Sequence, residues 1–118
     1  MIYKELPKEG IPVTQARDIR SSDDIILDAD VVVIGSGTGG AIIAHNLAVA
    51  GKKVIILEAG RYVPSSEFTE DMAWALENLY QDVGAQTNTI GDTVVMQGNC
   101  VGASSVISAN IATRAPDY

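Results

Sequence analysis

The chain has 118 residues, of which 47% are hydrophobic and 19% charged, the make-up of a single globular domain with a small core. Fifteen acidic against eight basic side chains give a formal net charge of -7, which argues against nucleic acid and anionic membrane surfaces as partners. One cysteine, Cys100, excludes an intramolecular disulfide, and the opening MIYKELPKEG has no apolar run of the signal-peptide kind. No apolar run is long enough for a membrane span, so a cytoplasmic location is expected.

Residues 1–29, with mixed charge and Pro7, Gly10 and Pro12, read as a lead-in segment in which Ile25, Ile26 and Leu27 dock on a neighbour. Residues 30–118 read as the domain proper. A buried strand is predicted over residues 29–34 from four β-branched side chains in a row. A helix follows over about 39–50, with Ala41, Ile42, Ala44, Leu47 and Ala48 as its apolar face and Gly51 as its stop. Residues 53–58 form a second buried strand. Strand, glycine turn, helix and strand make one βαβ unit with parallel strands and a right-handed crossover.

Beyond it, Ser65 or Ser66 is expected to cap a helix running to about Asp82, with Phe68, Met72, Ala75, Leu76 and Leu79 on one face. Residues 84–92 are turn-rich. A short strand is predicted at 93–96, a second glycine-rich loop at 98–105 and a helix over 105–112.

Gly35, Gly37 and Gly40 fit G-x-G-x-x-G. The first allows the tight turn out of the strand. The second lets backbone approach a pyrophosphate, and the third lets the helix pack close to the strand. The free N–H groups and positive end of the helix dipole then face the anion. Glu58 closes the second strand, at the distance along the chain where an acid accepts hydrogen bonds from adenosine ribose hydroxyls. Its charge also disfavours a 2′-phosphate. The competing reading is a glycine turn used only for close packing. A plain NAD enzyme would continue with further βαβ units, whereas this chain has a second glycine- and serine-rich loop, QGNCVGASS, that offers a second grip on an extended ligand.

On DADVVVIGSGTGG, VIILEAGRYVP and QGNCVGASSVISANI, the sequence resembles the glucose–methanol–choline (GMC) oxidoreductases, flavoproteins that oxidise alcohols. The likeness runs from about Ile26 to the last residue. It implies an α/β, Rossmann-like FAD-binding domain, incomplete here and completed by further polypeptide. It implies that Gly35, Gly37, Thr38, Gly39 and Gly40 bind the FAD pyrophosphate, that Glu58 binds ribose, and that Ala59 lies near the adenosine. Gly98, Asn99, Gly102, Ala103, Ser104 and Ser105 would line the path towards the flavin. Two departures stand out. The family usually has two glycines where this chain has Gly102 and Ala103, and Asn where it has Ser108. The extra methyl of Ala103 is tolerable at negative φ and costly at positive φ.

The resemblance also implies a catalytic histidine in a later part of a much longer chain. The sole histidine here, His45, lies on the helix after the glycine turn and reads as a surface or packing residue. Cys100 could be a redox thiol, a flavin attachment point or a metal ligand, but with no Cys or His at ligand spacing it reads as a packed loop residue. No catalytic residue and no metal site are assigned. A two-stranded parallel sheet leaves an open edge and a bare face, so the remaining C-terminal part of the enzyme is the expected partner, with a small-molecule alcohol as substrate. The end at Arg114–Tyr118 reads as a cut in a continuing domain. The alternatives are a free-standing dinucleotide-binding module without catalysis and an NAD-dependent Rossmann enzyme.

Overall fold

A computed structural model of the chain describes residues 12–19 and 25–108. Two parallel strands, β1 (Val31–Ile34) and β2 (Val54–Leu57), are joined by one helix, α1 (Thr38–Val49). The runs of Val and Ile favour extended backbone, because two heavy atoms on Cβ restrict χ1. Val31 lies opposite Val54 and Ile34 opposite Leu57. The ladder continues past both ends. At one, the Asp30 N–H donates to the Lys53 carbonyl at 2.9 Å; at the other, the Gly35 N–H donates to the Leu57 carbonyl at 2.7 Å. The Asp30 carboxylate also accepts the Lys53 N–H at 2.8 Å, which fixes where β2 begins.

The α1 helix seats on the sheet through a missing side chain. A Cβ at Gly40 would lie 2.1 Å from the Gly35 carbonyl oxygen and 3.3 Å from Val33 Cγ1. Ala44, one turn on, is buried, and Leu47 is half-buried. The helix ends at Gly51, whose φ of 82° suits only glycine without strain. There the Lys52 N–H reaches back to the Leu47 carbonyl and the Gly51 N–H to that of Ala48, both at 3.0 Å, the paired bonds of a Schellman stop.

Sequence pattern predicted fully buried strands, and the structure corrects this. Side chains alternate across a strand, so Val31 and Val33 turn towards α1 while Val32 and Ile34 point away. Both are exposed, Ile34 at 88%. Ile42, assigned to the inner face of α1, is also exposed, and so is Ile26 of the lead-in. In the described part of the lead-in, one 3₁₀ turn (Ala16–Asp18) lies across a cavity from β2, and Ile25 and Leu27 line that cavity.

After β2 the chain departs further from expectation. The predicted long helix is two pieces. Pro64 opens a single 3₁₀ turn (Ser65–Glu67), and the chain is extended again at Phe68. The second helix, α2 (Met72–Leu79), starts only at Asp71, whose carboxylate caps it by accepting the Ala73 N–H at 2.9 Å. Phe68 therefore lies outside the helix and packs against Trp74, ring centroids 6.2 Å apart. Leu79 joins Val63 and Cys100 in a small core, with Trp74, Ala75, Tyr80 and Ile107 against it.

No strand forms at 93–96. A tight turn held by Asn88, whose side chain donates to Asp92 and whose carbonyl oxygen accepts from the Asp92 and Thr93 N–H groups, leaves one isolated bridge between Thr87 and Val94. The helix predicted over 105–112 is likewise absent as far as Ser108; a 3₁₀ turn (Ala103–Ser105) and loose turns stand there, and 109–112 lie outside the described residues.

The Gly40 contact sets an expectation. Gly40→Ala should destabilise the apoprotein by about 1–3 kcal/mol in denaturant melts, because the clash is with backbone that cannot swing away. Gly39→Ala, one residue earlier in the same helix with nothing within 4 Å of its added Cβ, should be neutral or gain up to about 1 kcal/mol.

Candidate cofactor-binding site

Both strands point their C-terminal ends at one place. From β1 the chain turns at Gly35, with φ at 89°, and enters α1 at Gly37. No side chain caps α1, and its first turn carries no acid. The N–H groups of that turn have no partner within the helix, so its start presents unblocked donors of the kind that suit an anion. Gly35, Gly37, Thr38, Gly39 and Gly40 all lie at this turn.

From β2 the chain delivers Glu58 to the same end. Its carboxylate accepts the Ser36 N–H and the Ser36 hydroxyl, each at 2.7 Å on Oε2, and the Gly60 N–H at 3.0 Å on Oε1. Burial pushes this carboxyl upward. Hydrogen bonds from the Ser36 hydroxyl and from the Gly60, Ser36 and Ala59 N–H groups outweigh that and hold it below the ordinary carboxylate range. Of a carboxylate's roughly four acceptor sites, Ser36 takes two on Oε2 and Gly60 one on Oε1, and the last is shared between the Ala59 N–H and any incoming donor. Ala59 is exposed beside it.

The second loop arrives at this end through close backbone approaches. A Cβ at Gly60 would lie 2.2 Å from the backbone of Asn99 and Cys100. The Val101 N–H donates to the Arg61 carbonyl at 3.0 Å, and the Gly102 N–H donates to Ser36 Oγ at 2.8 Å. A Cβ at Gly37 would touch that of Ala103 at 3.4 Å. Gly102 and Ala103 thus join the first loop. Gly98, Ser104 and Ser105 spend their polar groups inside their own loop, with the Gly98 N–H bonded to Ser104 Oγ at 3.0 Å and the Ser105 hydroxyl bonded to the Gly102 carbonyl. The Asn99 N–H is taken by the Leu79 carbonyl. The expected grip by a second helix N-terminus is corrected, since only a three-residue 3₁₀ turn stands there.

Ala103 adopts φ of 49°, the costly case for a side-chain-bearing residue. Cys100 is 1% exposed. Burial, with the nearby Glu58 charge, pushes its thiol up, which keeps it protonated and poorly nucleophilic. That fits packing better than redox or attachment chemistry. His45 is exposed on α1.

Two residues that matter here escaped the sequence reading. Gly60 sits in the quoted LEAG block, and only its contact with the second loop explains it. Ser36 fills a variable position of the glycine motif, so no pattern marks it; it is 7% exposed and bonds both Glu58 and Gly102.

A cavity of about 970 Å³ opens beside these groups. Ser36, Glu58, Ala59 and Gly60 line its polar end, and Ile25, Leu27 and Val54 lie among its apolar walls. The unblocked helix start suits a phosphate and the Glu58 carboxylate a ribose, and the cavity, which Glu58 lines and residues 37–40 do not, suits a base.

Comparison with known proteins agrees. The FAD binding domain model matches residues 30–97. A long-chain-alcohol oxidase of Arabidopsis thaliana is 33% identical over 118 residues, covering 99% of this chain and 15% of the relative. A GMC-type oxidoreductase of Sinorhizobium fredii is 40% identical over 96 residues, covering 80% and 19%. A cholesterol oxidase of Mycobacterium tuberculosis is 32% identical over 96 residues, covering 76% and 16%. The chain belongs to the FAD binding domain family, as the N-terminal FAD-binding region of the GMC oxidoreductases. Its cofactor is FAD, which decides against the NAD alternative. It spans less than a fifth of the length of these relatives. Among the described residues, no helix is long and apolar enough to cross a membrane.

Two outcomes follow from this geometry. Ala103→Gly should raise stability by about 0.5–1 kcal/mol in a denaturant melt, because relief of the left-handed strain exceeds the entropy added to the unfolded chain. Glu58 has a depressed folded-state pKa, so its hydrogen bonds stabilise the fold above the ordinary carboxylate range and are lost as pH falls through the lower value. Glu58→Gln should therefore flatten the acid side of a plot of Tm against pH.

Proposed function

We propose that this chain forms the ADP-binding end of the FAD site in a flavoprotein that oxidises an alcohol to an aldehyde or ketone. Gly37, Thr38, Gly39 and Gly40 hold the pyrophosphate at the start of α1. Glu58 accepts the ribose hydroxyls, and Ala59 lies against the adenosine. Gly98, Asn99, Gly102, Ala103, Ser104 and Ser105 form the wall that leads towards the flavin, with Gly102 and Ala103 nearest the first loop. The observation that carries this reading is the convergence of two glycine loops on one uncapped helix start, with Glu58 beside it.

When bound, FAD supplies the hydride acceptor for such an oxidation. The chain's own residues bind and orient it. A proton must also leave the alcohol, and His45, the sole histidine, is an exposed α1 residue with no place in the site. The substrate pocket and the proton acceptor are therefore assigned to polypeptide outside this chain. Support comes from relatives several times longer, among them a long-chain-alcohol oxidase and a cholesterol oxidase. An alcohol on an apolar body is the substrate class those two names suggest.

The test is direct. Denaturing the purified full-length protein should release a molecule with the mass and visible spectrum of FAD; release of NAD, or of nothing, refutes the reading. Gly37→Val pushes branched carbons towards Ala103 Cβ and into the space a phosphate would take. It should weaken FAD binding roughly tenfold to a hundredfold, or about 1.4–2.8 kcal/mol, in a titration of the apoprotein.

A further inference from the structure

The Ser36 residue is almost wholly buried, and its hydroxyl has two polar neighbours from separate parts of the chain, Glu58 and Gly102. Its own N–H and its hydroxyl both reach Glu58 Oε2 at 2.7 Å, and its Oγ lies 2.8 Å from the Gly102 nitrogen. The direction of these bonds is forced. An ionised carboxylate can only accept, so the single hydroxyl proton points at Glu58. A backbone nitrogen can only donate, so the Gly102 N–H fills an Oγ lone pair. One side chain therefore carries a chain of hydrogen bonds from the second loop to the acid at the end of β2. Each bond polarises the next.

We infer that the Ser36 hydroxyl is a positioning group for cofactor binding, setting both the orientation of Glu58 towards the adenosine ribose and the seating of the Gly102 loop on the first glycine turn. This rests on the FAD reading above and goes beyond it by adding a residue that need not touch the cofactor. An alanine at this position keeps the backbone bond to Glu58 but leaves the Gly102 N–H without its partner and Glu58 Oε2 with one donor fewer. Other groups facing Glu58 do not replace it. The buried Cys100 thiol is directed at the Ala103 carbonyl, and the Arg61 guanidinium is bonded to Asn78 Oδ1 at 2.7 Å.

The experiment is an FAD titration of the full-length apoprotein, read by quenching of flavin fluorescence, across pH. Ser36→Ala should weaken FAD binding roughly tenfold, the scale of one hydrogen bond to a charged group. Glu58→Gln should weaken it comparably, and the double variant should lose less than the sum of the two single losses, because part of the serine's effect passes through the acid. The acid limb of FAD affinity should also move to higher pH in Ser36→Ala, since losing a donor to the charged form raises the Glu58 pKa. A serine that only packs would leave that limb in place. Ser36→Thr and Ser36→Val, nearly equal in volume, serve as a second pair: threonine should keep the limb and valine should shift it.

Fully additive losses, an unmoved acid limb, or valine matching threonine would overturn the inference while leaving the FAD reading intact. A wild-type apoprotein that takes up no FAD would instead overturn the FAD reading, and the inference with it. Full affinity in Glu58→Gln would remove the ribose role and so the positioning role.

Discussion

The architecture depends on one close approach between backbone and backbone. The α1 helix can rest on β1 only because Gly40 presents no side chain to the Gly35 carbonyl. That contact fixes the height of the helix above the sheet and the direction of its first turn. With the helix start aimed past the strand ends, everything delivered to those ends meets it. Glu58 comes from β2, and the second loop comes through the absent side chain of Gly60. The site is thus a consequence of two places where only glycine fits, one within the βαβ unit and one between that unit and the loop at 98–105.

Small size explains why polar bonds matter so much here. The described residues bury a core of a few side chains, with Val63, Leu79 and Cys100 at its centre. Such a core gives limited hydrophobic stabilisation, so the relative placement of the loops falls to hydrogen bonds and to steric fit. Meanwhile Ile26, Val32, Ile34 and Leu57 remain open to solvent. Bare apolar strand faces of this kind fit a sheet that other polypeptide extends and covers, which agrees with the short share of its relatives that this chain spans.

The βαβ unit was legible in the sequence because its signals are local: β-branched runs, a glycine pattern and a glycine stop. Glu58 was legible by its spacing from the glycine turn. The start of α2 was not. Two serines after Pro64 looked like caps, but the first turn they made ended at Phe68 and Asp71 was the acid that held the true start. The strand at 93–96 shrank to a single bridge because its partner, the segment 86–88 across the tight turn, is too short to extend the ladder. Ser36 was invisible for a different reason. Its role comes from groups brought to it by folding from positions 58 and 102, and no spacing rule encodes such a meeting. The second loop was recognised by composition, while its conformation, with Ala103 on the left-handed side, emerged only from the backbone.

The burial of Cys100 gives the molecule a built-in reporter. It is the sole sulfhydryl in these 118 residues, and the loop that carries Gly102 holds it buried against Val63 and Leu79. An alkylating reagent can reach it only while that loop is lifted, so the labelling rate is a clock for loop opening. A ligand that pins the loop slows the clock, with no chromophore or engineered label required.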